Sequence, residues 1–389
     1  MRDTLFEEID ALYEEMVEMR RFLHQHPELS FQEEKTAAFI QEQYQSLHIP
    51  YEANVGENGV VATLKGTKPG KTVALRADFD ALPIQDEKEV SYKSKKEGVM
   101  HACGHDGHTT TLLAVAKVLQ KHQDKLAGTV VFIHQHAEEL VPGGAKAMIE
   151  AGALANVDVV YGTHLWTNTP YGVVQTAPTN FMAAADSFTI QLKGKGGHGA
   201  IPHQTKDPVV AGSQLVINLQ QIVSRRIDPL ETAVITIGKF LSGNVFNVIP
   251  NTAVISGTIR TFNAEVQHFI KAEMEKVIKG TCLSYDMAYD FDYAFGYPPV
   301  VNHPEYAEKV LEAAKQVKEV QKAEMVAPTM TGEDFSYYLQ NKPGAYFFTG
   351  AQIDNGFVPH HHPLFDFDER AMKIAAKTLI AATLDVNKS

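Results

Sequence analysis

The hydrophobic residues near the start of the chain repeat every three or four positions, which predicts amphipathic helices. Leucine, isoleucine and methionine residues between Leu5 and Leu23 follow this spacing, with acidic residues between them. The helix is predicted to end at His26-Pro27, because a proline ring disfavours helical geometry at the residue before it. A second amphipathic helix is predicted over residues 31–47. The chain therefore begins with helices that each have one face to bury.

Short β-branched runs alternate with helical segments up to residue 182. The pattern predicts a helix over residues 109–122 and strands over residues 60–65, 72–76, 129–133 and 157–161. The run at 129–133 is apolar throughout, which is typical of a strand buried on both faces of a sheet. Strands that alternate with helices predict an α/β fold, in which a mainly parallel sheet has helices on both sides.

The order of the predicted elements changes after residue 183. Helices are predicted over 208–227 and 264–279, and strands over 187–192, 232–240, 253–261 and 283–289. Read along the chain, these elements give the order β-α-β-β-α-β. This is the order of a ferredoxin-like domain, which could fold as a satellite of the α/β domain.

The α/β pattern resumes after Pro298-Pro299, with a helix over residues 304–318 and a strand over residues 345–349. Two segments of one α/β domain therefore flank the ferredoxin-like insertion. A chain of 389 residues has room for both domains. We predict the first part of the α/β domain at 1–182, the inserted satellite domain at 183–296, and the second part of the α/β domain at 297–389.

The formal net charge of −12 argues against several classes of partner. Repulsion from phosphate groups disfavours sequence-independent binding to nucleic acid or to an anionic membrane. The two cysteines, Cys103 and Cys282, are too few for a disulfide framework and favour a reducing compartment. The first residues carry acids and no apolar run, and no stretch approaches the ~18 apolar residues of a membrane span. We therefore expect a water-soluble, cytoplasmic protein.

The segment HACGHDGH (residues 101–108) concentrates three histidines, an aspartate and a cysteine. It is open to three interpretations. It could be a polar loop, or a thiol nucleophile in which His101 or His105 serves Cys103 as a base. It could also be a metal site with Cys103 and His105 as ligands in a glycine-bearing loop. A catalytic metal needs three or more protein ligands, so the metal interpretation depends on the rest of the chain.

Further residues of ligand type follow the predicted strands. The adjacent Glu138 and Glu139 come after the strand at 129–133, His164 follows the next strand, and a histidine triplet occupies 360–362. Open α/β sheets bind ligands at the carboxyl ends of their strands. Neighbouring side chains on an extended backbone point in different directions, so one carboxylate of the pair could bind metal while the other acts as a base. A thiol nucleophile would leave these residues without a role, and we therefore favour a metal site.

These residues lie in motifs that resemble those of the amidohydrolase family of dinuclear metallopeptidases. The family includes hippurate hydrolase, indole-acetyl-amino-acid hydrolases and N-acetyldiaminopimelate deacetylase, and aminoacylases and carboxypeptidase G are more distant relatives. The resemblance covers nearly the whole chain and implies a metallo-aminopeptidase-like catalytic domain. Its motifs are LHQHPELSFQE (23–33), LRADFDALP (75–83), MHACGHDGH (100–108), AEE (137–139), GTH (162–164), GKGGHGAIPH (194–203), NVIPNTAVISGTIRTF (247–262), TGEDFSYY (331–338) and HHP (361–363).

The resemblance implies two divalent metal ions per subunit. A thiolate ligand favours zinc, mixed carboxylate and imidazole ligands also suit manganese, and cobalt and nickel are further alternatives. By resemblance, the family pattern places the last ligand two residues before Pro363, which selects His361, with His362 as the alternative. The implied ligands are Cys103, His105, Glu139, His164 and His361.

The chain departs from the family pattern in two places. His136 stands where the family often has a proline before the AEE step, and it could compete as a metal ligand. The related aminopeptidases use a His-x-Asp pair, whereas this chain has Asp78-Phe79-Asp80 at the matching stretch. The resemblance therefore leaves Asp80 as a residue that orients a ligand, or as a carboxylate that caps the loop.

The resemblance also implies the catalytic residues and the substrate. Glu138 would be the general base, and His198, in the lid motif GGHGA, would polarise the scissile carbonyl in the partner subunit's active site. Asn247 and Arg260 would hold the free carboxylate of the substrate, which suits the bidentate geometry of arginine. The expected protein is a homodimer, joined through the satellite domains, that hydrolyses N-acyl-L-amino acids.

Other functions stay open on the sequence alone. N-acetyldiaminopimelate deacetylase and dipeptidase activities belong to the same family. A non-catalytic protein that binds a ligand through metal is a further alternative. It is disfavoured because Glu138 and all five ligand types are present.

Overall fold

The computed structural model describes residues 1–354 and 356–387. This part of the chain forms two compact units. The larger unit contains Met1–Phe181, Val301–Pro328 and the chain from Asp334 onward, and the smaller contains Met182–Val300 and Thr329–Glu333. Within the described residues, no helix has both the length and the apolar character needed to cross a membrane.

Helices and strands are numbered in chain order. The helices are α1 (Arg2–Ala11), α2 (Tyr13–Gln25), α3 (Glu34–Ser46), α4 (His105–Lys121), α5 (Ala145–Glu150), α6 (Pro208–Gln221), α7 (Ala264–Ser284), α8 (Pro304–Ala314), α9 (Ser336–Asn341) and α10 (Ala371–Val386). The strands are β1 (Tyr51–Val55), β2 (Gly59–Lys65), β3 (Lys68–Asp78), β4 (Ala127–Gln135), β5 (Val159–Pro170), β6 (Val173–Thr176), β7 (Asn180–Met182), β8 (Ala184–Lys193), β9 (Gly197–His198), β10 (Ala233–Ser242), β11 (Val248–Ile249), β12 (Thr252–Thr261), β13 (Ala288–Tyr297), β14 (Val300–Val301), β15 (Lys322–Met325) and β16 (Gly344–Gln352).

The larger unit is built on an eight-stranded sheet with the order β1-β2-β4-β3-β5-β16-β6-β15. β4, β3, β5 and β16 run parallel at its centre, while β2 is antiparallel to β4 and β6 is antiparallel to β16. The central strands are buried along most of their length, as their apolar composition requires. The predicted α/β fold with a mainly parallel sheet is confirmed.

Two buried helices, α4 and α10, pack against this sheet and against each other. α10 is buried on nearly every side, which matches its mainly apolar sequence. α4 approaches its neighbours closely at Gly107. A Cβ atom there would lie 2.5 Å from the ring of Phe367 and 2.6 Å from the side chain of Leu165, so only glycine fits. This packing fixes the start of α4 against β5.

The smaller unit is a four-stranded antiparallel sheet with the order β10-β12-β8-β13. α6 and α7 connect the strands in the order β-α-β-β-α-β, as predicted for a ferredoxin-like fold. Both helices begin at a polar cap: Asp207 accepts hydrogen bonds from the first turn of α6, and Asn263 does so for α7. The core between sheet and helices is aliphatic, with Ile190, Leu215 and Ile270 at its centre.

Several predicted elements have different limits in the structure. The first predicted helix is two helices, α1 and α2, which meet at Leu12. The limits of the strand predicted at 283–289 are wrong: α7 continues to Ser284, and the strand β13 runs from Ala288 to Tyr297. The alternating aromatic residues of β13, which pack against α7, mark the true strand.

Candidate metal centre

The predicted ligands of the larger unit converge at one end of its central strands. Asp78 is the last residue of β3, and Asp80 follows it. Glu138 and Glu139 follow β4, and His164 lies on β5, which neighbours β3. Parallel neighbouring strands bring their carboxyl ends to the same edge of the sheet, which is where such sheets bind ligands.

Among the candidate metal groups of the described residues, three consist entirely of predicted ligands and the predicted general base. In each group the ligand atoms lie within 4.8 Å of one another. Cys103, His105 and His164 form the first group, and Cys103, Glu139 and His361 form the second. The third group is His105, Glu138 and Glu139. The structure thus brings together all five predicted ligands and the predicted general base.

The HACGHDGH segment is half loop and half helix, which corrects the expectation of a loop. α4 begins at His105 and not at residue 109. Gly104 has a φ of 98°, and its carbonyl accepts hydrogen bonds from the backbone of Gly107 and His108. The left-handed glycine turns the chain between Cys103 and the first turn of the helix. The two ligands therefore approach the site from different directions.

His164 lies within β5 and not beyond its end, which corrects a second expectation. The ladder between β5 and β16 continues past it, with Phe348 opposite His164. The Nδ1 atom of His164 donates to the carbonyl of Leu165 at 3.0 Å, so the lone pair on Nε2 faces the Cys103 Sγ atom at 3.4 Å. Burial, with the neighbouring His108 and other histidines, lowers the pKa of His164 well below its ordinary value. The imidazole is neutral, as a ligand must be.

Asp80 connects two of the predicted ligands. Its Oδ1 atom accepts a hydrogen bond from His105 Nδ1 at 3.0 Å, and its Oδ2 atom accepts one from the backbone of Glu139 at 2.9 Å. The hydroxyl of Ser30 donates to Oδ2 at 2.7 Å. Such a carboxylate fixes the ring orientation of a metal-binding histidine and raises its basicity. The geometry fits the orienting role of Asp80.

The histidine triplet near the C-terminus makes three different sets of contacts. His361 Nε2 lies 3.2 Å from Glu139 Oε1. His360 Nε2 accepts a hydrogen bond from the backbone of Thr167, and His362 Nδ1 accepts one from the backbone of Leu364. Only His361 of the three therefore belongs to a candidate metal group among the described residues.

His361 is held in a conformation that non-glycine residues rarely adopt. Its φ is 63°, and its backbone amide donates to the carbonyl of Ala102 at 2.8 Å. This contact ties the C-terminal loop to the segment that carries Cys103. Backbone strain of this kind persists only where surrounding contacts fix it, and it is concentrated at functional sites.

His136 belongs to no candidate metal group within the described chain. Its side chain is buried, and its ring lies edge-on to Phe31 with 5.8 Å between the ring centroids. Neither ring nitrogen has a hydrogen-bond partner in residues 1–354 and 356–387. The alternative in which His136 competes as a ligand finds no support in this geometry.

The donor set fits divalent cations. His105 Nε2 is buried without a hydrogen-bond partner among the described residues, and it lies 3.8 Å from Glu139 Oε1. Burial, the adjacent Glu139 and the nearby Glu138 raise the pKa of the Cys103 thiol well above its ordinary value. A divalent cation would supply the positive charge that this group of acids lacks. The raised pKa also disfavours a thiol nucleophile, which reacts as the thiolate.

An ionic network that was not predicted from the sequence supports the first turn of α4. Arg20 is completely buried, and its Nε atom donates to Asp106 at 2.9 Å. Its guanidinium also reaches Asp366 and Glu369, and His24 Nδ1 lies 2.7 Å from Asp106. These contacts fix the helix turn that presents His105. Arg20 could have been recognised from the sequence as an unusual charge, because it lies at helical spacing within the buried face of α2.

The remaining predicted residues lie on the smaller unit. His198 is on β9, which pairs with β11, and Asn247 directly precedes β11. The backbone amide of Gly199 donates to the carbonyl of Asn247 at 3.0 Å, so these two predicted residues are neighbours. Arg260 is on β12, where it pairs with Ala185 at the opposite end of the sheet. The structure therefore does not bring Arg260 together with His198 within this unit.

The distance between Thr252 and Arg260 along β12 follows from strand geometry. Arg260 lies eight positions after Thr252, which begins β12 next to the β9–β11 pair. At about 3.3 Å per residue, the separation is about 26 Å. A small substrate is much shorter than this distance, so it cannot contact His198 and Arg260 of the same unit at once.

The fold and the ligand groups together define an α/β protein with a candidate metal centre at the carboxyl ends of its central strands. The sequence model of Peptidase family M20/M25/M40 matches residues 74–385. The chain therefore belongs to this family, whose members hydrolyse amide bonds.

Individual relatives agree with this assignment. The chain is 55% identical over 386 residues to the Bacillus subtilis protein YhaA, assigned as an amidohydrolase, covering 99% of this chain and 98% of that protein. It is 47% identical over 297 residues to the N-acyl-L-amino acid amidohydrolase of Geobacillus stearothermophilus, covering 76% and 80% of the two chains. The structure of Bacillus subtilis YxeP, described as a dinuclear metal binding peptidase, matches with a TM-score of 0.83 at 33% identity, covering 97% and 99%.

Proposed function

We propose that this protein hydrolyses the amide bond of N-acyl-L-amino acids with two divalent metal ions. The observation that carries the proposal is the arrangement of two adjacent carboxylates. Glu139 groups with Cys103 and His361, a set that does not include Glu138, and both carboxylates group with His105. One carboxylate is thus available to hold an ion and the other to move a proton. The N-acyl-L-amino acid amidohydrolase among the relatives supports the substrate class.

The residues divide the chemistry between them. Bound divalent ions would supply a Lewis acid for the amide carbonyl and would lower the pKa of water from 15.7 to roughly 7. Glu138, which is buried beside the ligands, takes a proton from the attacking water and delivers it to the leaving nitrogen. General acid–base transfer of this kind contributes about 10²–10⁴-fold. His198 donates a hydrogen bond to the developing oxyanion, and Asn247 and Arg260 hold the carboxylate of the amino acid.

A homodimer explains how distant residues of the smaller unit serve one substrate. Arg260 lies about 26 Å along β12 from Thr252, which begins the strand beside the segment of His198 and Asn247. We propose that one site takes His198 and Asn247 from one subunit and Arg260 from the other. The edge strand β10 and helix α6 carry exposed apolar side chains, among them Leu241 and Ile217, which are 55% and 65% exposed. Exposed apolar residues next to an unpaired strand edge favour self-association. We propose that the dimer forms through this unit.

The activity is tested by amino-acid release from a panel of substrates. Protein stripped with a chelator is given zinc, manganese, cobalt or nickel and is assayed on N-acetyl, N-benzoyl and longer N-acyl amino acids. We expect no release without metal and restored release with zinc or manganese, because the donor set suits both ions. N-acetyldiaminopimelate and dipeptides serve as further substrates, and selective release from either would replace the proposed substrate class. Absence of release from every substrate, by protein that holds two ions, would contradict hydrolysis.

The role of Cys103 is tested by its exchange for serine. Cobalt-substituted protein should show a thiolate-to-cobalt charge-transfer band in the near ultraviolet, because a thiolate would be among the ligands. The Cys103→Ser variant should lose this band and retain less metal. Cys282→Ser is the matched control, since Cys282 is also a free, buried cysteine but lies in the core of the smaller unit. A band that survives in Cys103→Ser and disappears in Cys282→Ser would refute the ligand assignment.

A further inference from the structure

The backbone immediately before Glu138 adopts a left-handed conformation. Ala137 has a φ of 52°, which a residue with a Cβ atom rarely adopts. Such a conformation is energetically unfavourable and persists only where other contacts fix it. At this position it turns the chain from the end of β4 into the Glu138-Glu139 pair. The contacts that hold Ala137 therefore determine where both carboxylates point.

A buried carboxylate holds the amide of Ala137. Glu33 Oε1 accepts a hydrogen bond from the Ala137 backbone at 2.8 Å, and Glu33 Oε2 accepts one from Asn58 Nδ2 at 3.1 Å. On the other side of the same residue, the backbone of Gly144 donates to the Ala137 carbonyl at 3.1 Å. The Ala137 amide and carbonyl are thus both fixed.

The side chain of Glu33 is not used as a helix cap. Glu33 is the N-cap residue of α3, yet its side chain makes no capping hydrogen bond. An acidic residue at this position usually stabilises the helix it begins. Here the carboxylate reaches across more than one hundred residues of sequence to Ala137.

Burial of the Glu33 carboxylate disfavours its charged form. Glu33 is completely buried, and burial, with the charge of Asp80 nearby, raises the pKa of Glu33 to about 7. A buried acid with two neutral hydrogen-bond donors stabilises a fold poorly compared with an apolar side chain. Stability alone therefore does not account for its presence.

We infer that Glu33 is a positioning residue for the proposed reaction, and that it acts as a hydrogen-bond acceptor that locks the Ala137 turn. Together with Asp80, which accepts from the backbone of Glu139, it clamps the segment that carries the general base and a metal ligand. Asn58 orients the Glu33 carboxylate. The inference rests on the function proposed above, but it also makes a prediction about metal retention.

Two variants distinguish the effect of the length of the Glu33 side chain from the effect of its charge. Glu33→Gln loses the charge. Its amide oxygen accepts a hydrogen bond from the Ala137 backbone amide. Its amide nitrogen donates to the side-chain oxygen of Asn58 once the amide group of Asn58 has flipped. Glu33→Asp retains the charge, but its carboxylate ends about 1.5 Å short of the Ala137 amide, beyond hydrogen-bond distance. Glu34→Asp is the matched control, because Glu34 is the exposed neighbour.

We expect Glu33→Gln to match the wild type and Glu33→Asp to lower kcat by about 10–100-fold, the range for residues that orient metal ligands. KM should change little, because Glu33 does not touch the substrate. Zinc retention against a competing chelator should fall in Glu33→Asp and not in Glu33→Gln. Melting temperatures of the metal-free proteins report the purely structural effect of each exchange.

Three results would overturn the inference. They are wild-type kcat and zinc retention in Glu33→Asp, an equal loss in Glu33→Gln and Glu33→Asp, or a change in melting temperature alone. Zinc retention is measured without any substrate. If the wild type released no amino acid from the panel, the proposed function would fail, and the comparison of zinc retention would still decide the role of Glu33.

Discussion

Glu138→Gln is expected to lower kcat by about 10²–10⁴-fold, because the amide cannot take a proton from water or deliver one to the leaving nitrogen. The exchange preserves the size of a side chain that is buried next to His105 and Glu139. Metal content should therefore stay at the wild-type level. The measurements are kcat on the best substrate of the panel and metal stoichiometry by elemental analysis.

The adjacent residue provides the contrast that makes this prediction specific. Glu139→Gln should lose metal as well as activity, since Glu139 Oε1 lies near both His361 and His105. Glu150→Gln, at an exposed site on α5, should change neither quantity. Activity retained in Glu138→Gln, or metal lost from it as from Glu139→Gln, would assign the proton transfer to another residue.

Local pattern was sufficient to predict where the candidate metal groups lie. The apolar run of β4 and the carboxylates that follow it are contiguous in sequence, so their position relative to the sheet is set by the periodicity of the strand. The same holds for His164, although β5 extends beyond it. The strand was predicted too short because Gly162, Asn168 and Pro170 disfavour strands, yet these residues remain in the sheet through the pairing of β5 with β16.

Contacts between distant parts of the chain could not be predicted in the same way. Arg20 stands out as a charge on the buried face of α2, but its partner Asp106 is 86 residues away and Asp366 is 346 residues away. Glu33 has the residue type and position of a helix cap, and nothing local indicates that it turns to Ala137. The choice between His361 and His362 likewise depends on the tertiary position of Glu139.

Three buried carboxylates of the larger unit each accept a hydrogen bond from a backbone amide, and these contacts are visible only in the tertiary structure. Glu33 holds the backbone amide of Ala137, Asp80 holds that of Glu139, and Asp334 holds that of Ala145. Each carboxylate fixes one peptide unit of the stretch from Ala137 to Ala145, which includes Glu138. The segment contains the proposed general base, and the carboxylates that hold it come from distant parts of the chain.

His198→Ala is expected to lower kcat by about 10²–10³-fold with little change in metal content, by analogy with other side chains that stabilise an oxyanion. The backbone of Ala200 donates to His198 Nδ1 at 3.0 Å, which leaves Nε2 protonated and able to donate. His203→Ala is the matched control, because His203 is a second exposed histidine, five residues further along the motif GKGGHGAIPH; it should behave as the wild type. Equal activity of the His198→Ala variant and the wild type would remove His198 from the mechanism.

The subunit that His198 serves is decided by mixing two inactive variants. Heterodimers of Glu138→Gln and His198→Ala subunits contain one intact site if His198 acts on the partner, because the intact Glu138 and the intact His198 then meet across the interface. Random reassociation makes half of the dimers mixed, so activity should return to about a quarter of the wild-type value per site. If His198 instead acts within its own subunit, every site retains one defect and the mixture stays inactive. Recovery of activity in the mixture would also require that the subunits form a dimer. The same experiment therefore tests the role of His198 and the presence of a dimer.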